Sequence, residues 1–191
     1  MSYTAKTFTI TPGADLSPAQ LELHLGLYAG YVKNLNLLND QLALLKSDRS
    51  TNTLAISELT RRIGFEFNGM RLHELYFEQL SGNGEVSGPL ATALATQWGS
   101  IETWKEDFEQ TCLFRGIGWG ILSIDVESGQ FYNSWVSDHE IGHLAGLPII
   151  LAVDMWEHAY LIDYKPSQKT DYLKAIFARL NWSTLDSRLA N

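Results

Sequence analysis

The sequence predicts an α+β fold, in which a long N-terminal helical hairpin is followed by a C-terminal domain with a small antiparallel sheet flanked by helices. Two observations support this prediction. Apolar residues recur at spacings of three and four through about the first 80 residues, which is typical of amphipathic helices, whereas short apolar and β-prone runs cluster in the second half. The change of pattern predicts a helical hairpin over residues 1–85 and an α/β domain over residues 86–191.

The first helix of the hairpin is predicted from a start signal and a long apolar stripe. Ser17 can cap the helix, Pro18 suits its first turn and Gln20 stands at the capping-box position. The stripe then extends for about 30 residues, through Leu21, His24, Leu25, Tyr28, Tyr31, Leu35, Leu38, Leu42 and Leu45. The second helix is predicted from Thr53 to Leu80, with an interruption near Asn68-Gly69.

The second half of the chain is predicted to fold into short elements, because its apolar runs are brief and are separated by glycine, proline and polar residues. In chain order these elements are helices over 89–98 and 100–114, strands over 119–126, 130–136 and 148–153, a helical stretch from Tyr160 and a helix over 170–180. The turn Glu127-Ser128-Gly129 joins the first two strands and indicates a hairpin.

Composition excludes several classes of protein. The chain has 191 residues and a formal net charge of −8 without a basic stripe, which disfavours nucleic-acid binding. Its single cysteine, Cys112, excludes an intrachain disulfide and a cysteine-rich zinc site. No apolar run approaches the ~20 residues that cross a bilayer, and residues 1–9 carry no export or import signal. We therefore expect a cytoplasmic protein that binds neither nucleic acid nor membranes.

Three histidines and one aspartate are candidates for a metal site. His24 and His73 lie on apolar faces of the two predicted hairpin helices, so the hairpin can bring them together. Asp154 directly follows a predicted buried strand, and His158 comes four residues later, close enough for both to reach one ion. Three imidazoles and one carboxylate, without sulfur, suit a first-row metal such as iron, manganese or zinc with one coordination position open.

A competing motif is His139-Glu140-Ile141-Gly142-His143, which fits the H-E-x-x-H pattern of zinc hydrolases. In that pattern two helical histidines bind zinc and the glutamate activates water. Gly146 falls at the spacing of the longer metzincin pattern, but Ile149 stands where that pattern has its third histidine. The glycines and Pro148 also make a weak helix. A zinc metalloprotease-like hydrolase remains an alternative at this point.

The segment Asp154-Met155-Trp156-Glu157-His158-Ala159-Tyr160 resembles the D-x-W-E-H-A-Y signature of the iron/manganese superoxide dismutase family. Further matches occur in the family's order between about Leu16 and Arg188, and they are Tyr31-Val32-Lys33-Asn34-Leu35-Asn36, Phe67-Asn68, Gly116-Ile117-Gly118-Trp119-Gly120 and Asn181-Trp182. The resemblance implies a metal between two parts of the fold, held by His24, His73, Asp154 and His158. The implied metal is one iron or manganese ion per subunit, and Ala152, at a position that varies with metal preference, favours iron.

The resemblance also implies roles for residues around the metal. Tyr31 matches a tyrosine that flanks the substrate channel, and Trp119 and Trp156 match aromatic walls of the site. Glu157 matches a glutamate that crosses a homodimer interface to bond the partner's His158. The implied partners are therefore superoxide and a second copy of the chain, with a higher oligomer as a further option.

Three positions depart from the common pattern of the family. Neither family position for the glutamine that holds the metal-bound solvent carries glutamine here, and His139 stands at the second of them. His139 is therefore expected to hold that solvent. Tyr28 replaces a channel histidine, and Leu161 replaces a tyrosine that reaches across the dimer. Both changes affect the usual hydrogen bond of that interface.

The implied reaction is the disproportionation of superoxide to dioxygen and hydrogen peroxide. Catalytic roles are expected for Tyr31, His139, Trp119 and Trp156. Four cationic side chains are expected to offset the negative charge near the channel, and these are Lys33, Lys165, Lys169 and Arg188. Besides the zinc hydrolase, the second alternative is a non-catalytic descendant of the dismutase fold.

Overall fold

The structure, a computed structural model, describes residues 2–189 and has the predicted α+β architecture. Its α-helices are α1 (Pro18–Leu45), α2 (Thr53–Glu78), α3 (Gly88–Trp98), α4 (Ile101–Cys112), α5 (Lys169–Phe177) and α6 (Trp182–Leu189). Its strands are β1 (Gly118–Ile124), β2 (Phe131–Ser137) and β3 (Ile149–Asp154). No helix within the described range is long and apolar enough to cross a membrane.

The hairpin of α1 and α2 forms as its start signal and apolar stripe predict. Ser17 caps α1 by accepting a hydrogen bond from the Gln20 amide at 3.1 Å, and Pro18 occupies the first turn. The apolar stripe packs α1 against α2, and it ends in a small separate cluster at the hairpin tip, formed by Leu38, Leu42 and Ile56. The long helices therefore bring residues that are about 50 positions apart in the chain onto facing surfaces.

The second helix runs through Asn68-Gly69 without a break, so the predicted interruption was wrong. The reason is a tertiary contact that offsets the low helix propensity of glycine. A Cβ atom on Gly69 would lie only 2.6 Å from Cδ1 of Tyr31, so the Tyr31 ring packs directly on the helix backbone there. The carbonyl of Gly69 also accepts a hydrogen bond from His73 Nδ1 at 2.6 Å.

The sheet has three antiparallel strands in the order β2-β1-β3. The central strand β1 places Trp119 opposite Val136 on one side and opposite Asp154 on the other. All residues of β3 after Ile149 are buried, and Asp154 is its last residue. The end of a fully buried strand therefore delivers a carboxylate to the interior, next to the tryptophan of the central strand.

The segment after β3 differs from its prediction. A single turn of 3₁₀ helix, Glu157–Ala159, and further turns occupy the place of the helical stretch expected from Tyr160. The C-terminal helix α6 was not predicted as an element. The main apolar core joins residues of the hairpin, the sheet and the C-terminal helices in one cluster. The division into two domains at residue 85 stays a prediction.

Arg188, which was expected to offset negative charge near the channel, is bonded to backbone carbonyls inside the protein. Its guanidinium is buried, with 10% of the side chain exposed, and it donates to the carbonyls of Ile150 at 2.7 Å and Leu75 at 2.8 Å. It also contacts Oε1 of Gln79 at 3.2 Å, and Gln79 in turn bonds the backbone of Ala152 in β3. Arg188 therefore ties α6 to α2 and β3.

We predict that Arg188→Leu lowers the free energy of unfolding by about 3 kcal/mol, because buried carbonyls lose their charged donor. Urea unfolding of the two proteins measures the difference. Arg61→Leu is the matched control, since the Arg61 side chain is 76% exposed, and it is expected to change stability by less than about 0.5 kcal/mol. Equal effects of the two substitutions would contradict the role assigned to Arg188.

Candidate metal centre

Four side chains from four parts of the fold meet at one buried point. His24 comes from α1, His73 from α2, Asp154 from the end of β3 and His158 from the following 3₁₀ turn. Their candidate ligand atoms all lie within 4.8 Å of one another, and this is the one such group in residues 2–189. Asp154 Oδ2 lies 3.0 Å from His24 Nε2, 3.2 Å from His158 Nε2 and 3.5 Å from His73 Nε2.

His73 shows that these contacts need a cation. Its Nδ1 faces the carbonyl of Gly69 at 2.6 Å, and a carbonyl only accepts, so Nδ1 carries the proton. In the neutral ring Nε2 then holds a lone pair, and this fully buried atom has no hydrogen-bond partner. A lone pair facing a carboxylate oxygen is repulsive, whereas a positive ion between the two atoms satisfies both. The donor set therefore fits a metal ion.

His24 and His73 are held neutral, whereas Asp154 is held in its charged form. Burial lowers the pKa of both His24 and His73, which keeps these rings neutral and available as ligands. Burial opposes the charge of Asp154, but the contacts with His158 and His24 outweigh it and hold its pKa below the usual range. Three imidazole nitrogens and one carboxylate oxygen, without sulfur, suit iron or manganese.

The backbone and second oxygen of Asp154 are also held in place. The Trp156 amide donates to Asp154 Oδ1 at 2.8 Å, and the Tyr172 hydroxyl donates to the Asp154 carbonyl at 2.8 Å. Because Tyr172 gives its only proton to that carbonyl, Tyr76 must donate to Tyr172 across their 3.0 Å contact. This chain connects α2 and α5 to the end of β3 and orients the carboxylate.

His139 lies beside the four-residue cluster with a defined pattern of protons. The indole Nε1 of Trp119 can only donate, and it lies 2.9 Å from His139 Nδ1, so Nδ1 accepts. The proton of the neutral ring is therefore on Nε2, which lies 2.8 Å from the hydroxyl oxygen of Tyr31. Burial lowers the pKa of His139 to about 4, so the ring is neutral near pH 7.

Aromatic rings surround His139 and separate it from solvent. Trp156 stacks on its ring at a centroid distance of 4.9 Å, and Phe65 and Tyr31 approach its edges at 4.7 and 4.9 Å. Burial and the negative charges of Asp154 and Glu66 raise the pKa of Tyr31, so its hydroxyl keeps its proton. A cleft of about 290 Å³ between α1 and α2 opens to Tyr31 and Phe65 from outside.

Comparisons with known proteins agree with this geometry. The family model described as "Iron/manganese superoxide dismutases, C-terminal domain" matches residues 86–188. The superoxide dismutase [Fe] of Saccharolobus solfataricus is 35% identical over 170 residues, which cover 86% of this chain and 80% of the relative. The chain belongs to the iron/manganese superoxide dismutase family.

Two other relatives show the range of the family that this chain resembles. The superoxide dismutase [Fe] of Aquifex aeolicus is 32% identical over 181 residues, covering 91% of this chain and 84% of the relative. The superoxide dismutase [Mn] of Corynebacterium diphtheriae is 34% identical over 136 residues, covering 70% and 68%. Relatives named for iron and relatives named for manganese both match this chain, so similarity does not decide which metal it binds.

The H-E-x-x-H motif does not form the zinc site of a hydrolase. Residues 138–142 form turns and an isolated bridge after β2, so the two histidines do not lie on one helical face. His139 bonds Trp119 and Tyr31, while His143 Nε2 donates to the carbonyl of His139 at 2.9 Å. The Glu140 side chain is exposed. Membership of the dismutase family and this geometry favour superoxide dismutation over hydrolysis.

Two departures from the family pattern now have a structural description. Tyr28 points away from the cleft and is buried, with its hydroxyl donating to Glu74 at 3.1 Å and accepting from the Lys6 amide at 2.8 Å. Leu161 is 43% exposed in the single chain. Glu157 is also exposed, on a cleft that it shares with Tyr160 and the loop after α4.

Several residues at the site were missed by sequence reasoning. Phe65 and Gly69 precede His73 by eight and four residues, so all three lie on one helical face. The spacing of four residues therefore indicates that Phe65 and Gly69 lie on the same helical face as His73. Tyr172, which bonds Asp154 from α5, carried no such signal, because nothing local relates it to the end of a strand 18 residues earlier.

We predict that Tyr172→Phe lowers the free energy of unfolding by about 2 kcal/mol, since the Asp154 carbonyl loses a donor and the Tyr76 hydroxyl loses its acceptor. Tyr76→Phe is the matched comparison and should cost only about 1 kcal/mol, because Tyr172 can still donate to Asp154. Urea unfolding of metal-free protein gives both values. A larger loss for Tyr76→Phe would contradict the assigned direction of the hydrogen-bond chain.

Proposed function

We propose that this protein is a superoxide dismutase that uses one iron or manganese ion per subunit, held by His24, His73, Asp154 and His158. The observation that carries the proposal is the buried contact of the Asp154 carboxylate with three imidazoles, one of which presents an unpartnered nitrogen. Relatives named superoxide dismutase cover most of the chain, and they support the same function. Iron is our preferred metal, on the basis of Ala152.

The metal supplies one-electron redox chemistry: its two oxidation states allow one superoxide to be oxidised and a second to be reduced. The chain's own residues supply the rest. Formation of hydrogen peroxide consumes two protons, and the Tyr31 hydroxyl and His139 Nε2 are the groups that hold protons beside the ligand cluster. Because His139 Nε2 donates to Tyr31, the hydroxyl proton of Tyr31 is free to point towards the cluster.

The aromatic rings around His139 have a different role from the groups that hold protons. Trp119 fixes the proton of His139 on Nε2, and Trp156 covers one face of that ring while its own indole donates to the Asp138 carbonyl at 3.2 Å. Together with Phe65 these rings exclude bulk water from the site. In the drier site, the charges and oriented hydrogen bonds act more strongly than in water.

We further propose that the protein is a cytoplasmic homodimer in which Glu157 of each chain bonds His158 of the partner subunit. In the single chain Glu157 is exposed and 18% of the His158 side chain is exposed, so both can meet a second copy. Leu161 and its neighbour Ile162 are 43% and 49% exposed, and an apolar pair of this kind suits a buried interface.

We predict that His73→Ala reduces metal affinity at least about 100-fold, since loss of a direct ligand should exceed the 10–100-fold typical of its outer partners. Superoxide consumption should fall in proportion. Metal analysis by mass spectrometry and a superoxide assay on the same samples measure both quantities. His143→Ala is the control for metal content alone, because the zinc-hydrolase alternative makes His143 a ligand. Loss of metal from His143→Ala, with full metal in His73→Ala, would refute the proposed site.

We also predict that Glu157→Gln raises the dissociation constant of the dimer about tenfold, because a charged hydrogen bond to a ligand imidazole is lost. Metal retention should fall with it. Analytical ultracentrifugation gives the dissociation constant, and Glu127→Gln, an equal change of charge at an exposed turn, is the control. A wild-type protein that is fully active as a monomer at micromolar concentration would rule out the proposed interface.

A further inference from the structure

The loop after β2 holds His139 through its backbone as well as through its ring. The carbonyl of His139 accepts two hydrogen bonds, from Asn68 Nδ2 at 2.8 Å and from His143 Nε2 at 2.9 Å. A carbonyl has two lone pairs, so both are used. One donor belongs to α2 and the other to the same loop, four residues further along the chain.

The His139 backbone lies in a turn after β2 and not in a helix or strand. Asp138 has a φ of 51°, in the left-handed region that residues other than glycine rarely adopt. Backbone bonds of the turn join Ser137 with Glu140 and Ile141, and the Asp138 amide donates to the Ile117 carbonyl at 3.2 Å. The Asp138 carbonyl accepts from the Trp156 indole at 3.2 Å, so the bonds to the His139 carbonyl itself come from Asn68 and His143. A turn of this kind is free to move unless side chains fix it. The two donors to the His139 carbonyl are placed to do so.

The position of the carbonyl determines the position of the ring. His139 Nδ1 is fixed by Trp119 and Nε2 meets Tyr31 at 2.8 Å, so a shift of the backbone must stretch one of these two bonds. Hydrogen bonds weaken steeply when their distance or angle departs from the optimum. The distance between His139 Nε2 and the Tyr31 hydroxyl therefore depends on what holds the carbonyl.

We propose that His143 is a positioning residue, which acts through the His139 carbonyl to keep His139 Nε2 in hydrogen-bond contact with Tyr31. The second histidine of the H-E-x-x-H segment then serves proton placement in the site rather than metal binding. The acceptor is a carbonyl, so His143 Nε2 must carry a proton, and a glutamine amide can replace that donor. The catalytic part of this proposal rests on the proposed dismutase function, whereas its geometric part does not.

The first test uses metal-free protein and does not depend on activity. The His139 Nε2 proton is buried and bonded to Tyr31, so it should be visible in ¹H–¹⁵N NMR spectra and exchange slowly with water. In His143→Leu the exchange should accelerate about tenfold, the factor expected from loss of one buried hydrogen bond. His143→Gln should restore slow exchange, and Asn68→Ala should accelerate it as His143→Leu does. Glu140→Gln, an exposed change in the same loop, should have no effect.

The second test uses metal-loaded protein. His143→Leu should keep its metal and lower kcat about tenfold, and His143→Gln should recover most of kcat. Unchanged exchange in His143→Leu, or equal acceleration in the leucine and glutamine variants, would overturn the positioning role. Loss of metal from His143→Leu would overturn it too. If the wild type consumes no superoxide, the proposed function fails while the exchange data still decide the geometric part. If the leucine variant does not fold, His143→Ala, which removes the same donor, decides in its place.

Discussion

The structure depends on one buried carboxylate that three imidazoles surround, one of which directs a lone pair towards it. Asp154 Oδ2 has three histidine nitrogens within 3.5 Å, and His73 directs a lone pair rather than a proton towards it. Four separate elements must pack correctly for this contact to exist. The site therefore forms only when the fold is correct, because a shift of either hairpin helix or of β3 would move the four side chains apart.

A second set of contacts determines which atoms near the Asp154 carboxylate carry protons. The indole of Trp119 can only donate, so His139 Nδ1 accepts and the proton of the neutral ring is on Nε2. The Tyr31 hydroxyl oxygen therefore accepts a hydrogen bond from His139 Nε2. The same histidine begins a zinc-hydrolase motif in the sequence, and only its surroundings distinguish the two roles. The H-E-x-x-H motif binds zinc when both histidines lie on one face of a helix, and here the backbone is a turn.

The sequence was most informative where the pattern is local and repeated. The apolar stripe and cap of α1, the short β-prone runs and the antiparallel hairpin turn all correspond to observed elements. Local patterns were least informative at positions where a distant contact decides. Gly69 stays helical because Tyr31 packs on it, and Arg188 is drawn into the interior by carbonyls of α2 and β3. Neither partner can be identified from neighbouring residues, since tertiary contacts override local propensity.

Charge explains why metal binding and substrate choice belong together in this site. The four side chains contribute one negative charge when the imidazoles are neutral, and the chain as a whole carries a formal net charge of −8. Without a cation the site repels a small anion such as superoxide. A divalent or trivalent ion held by these side chains would reverse the sign, leaving one or two positive charges near the protonated Tyr31, whose ring contacts that of His73. The negative charge of the Asp154 carboxylate therefore makes the attraction of the anion depend on a bound metal ion.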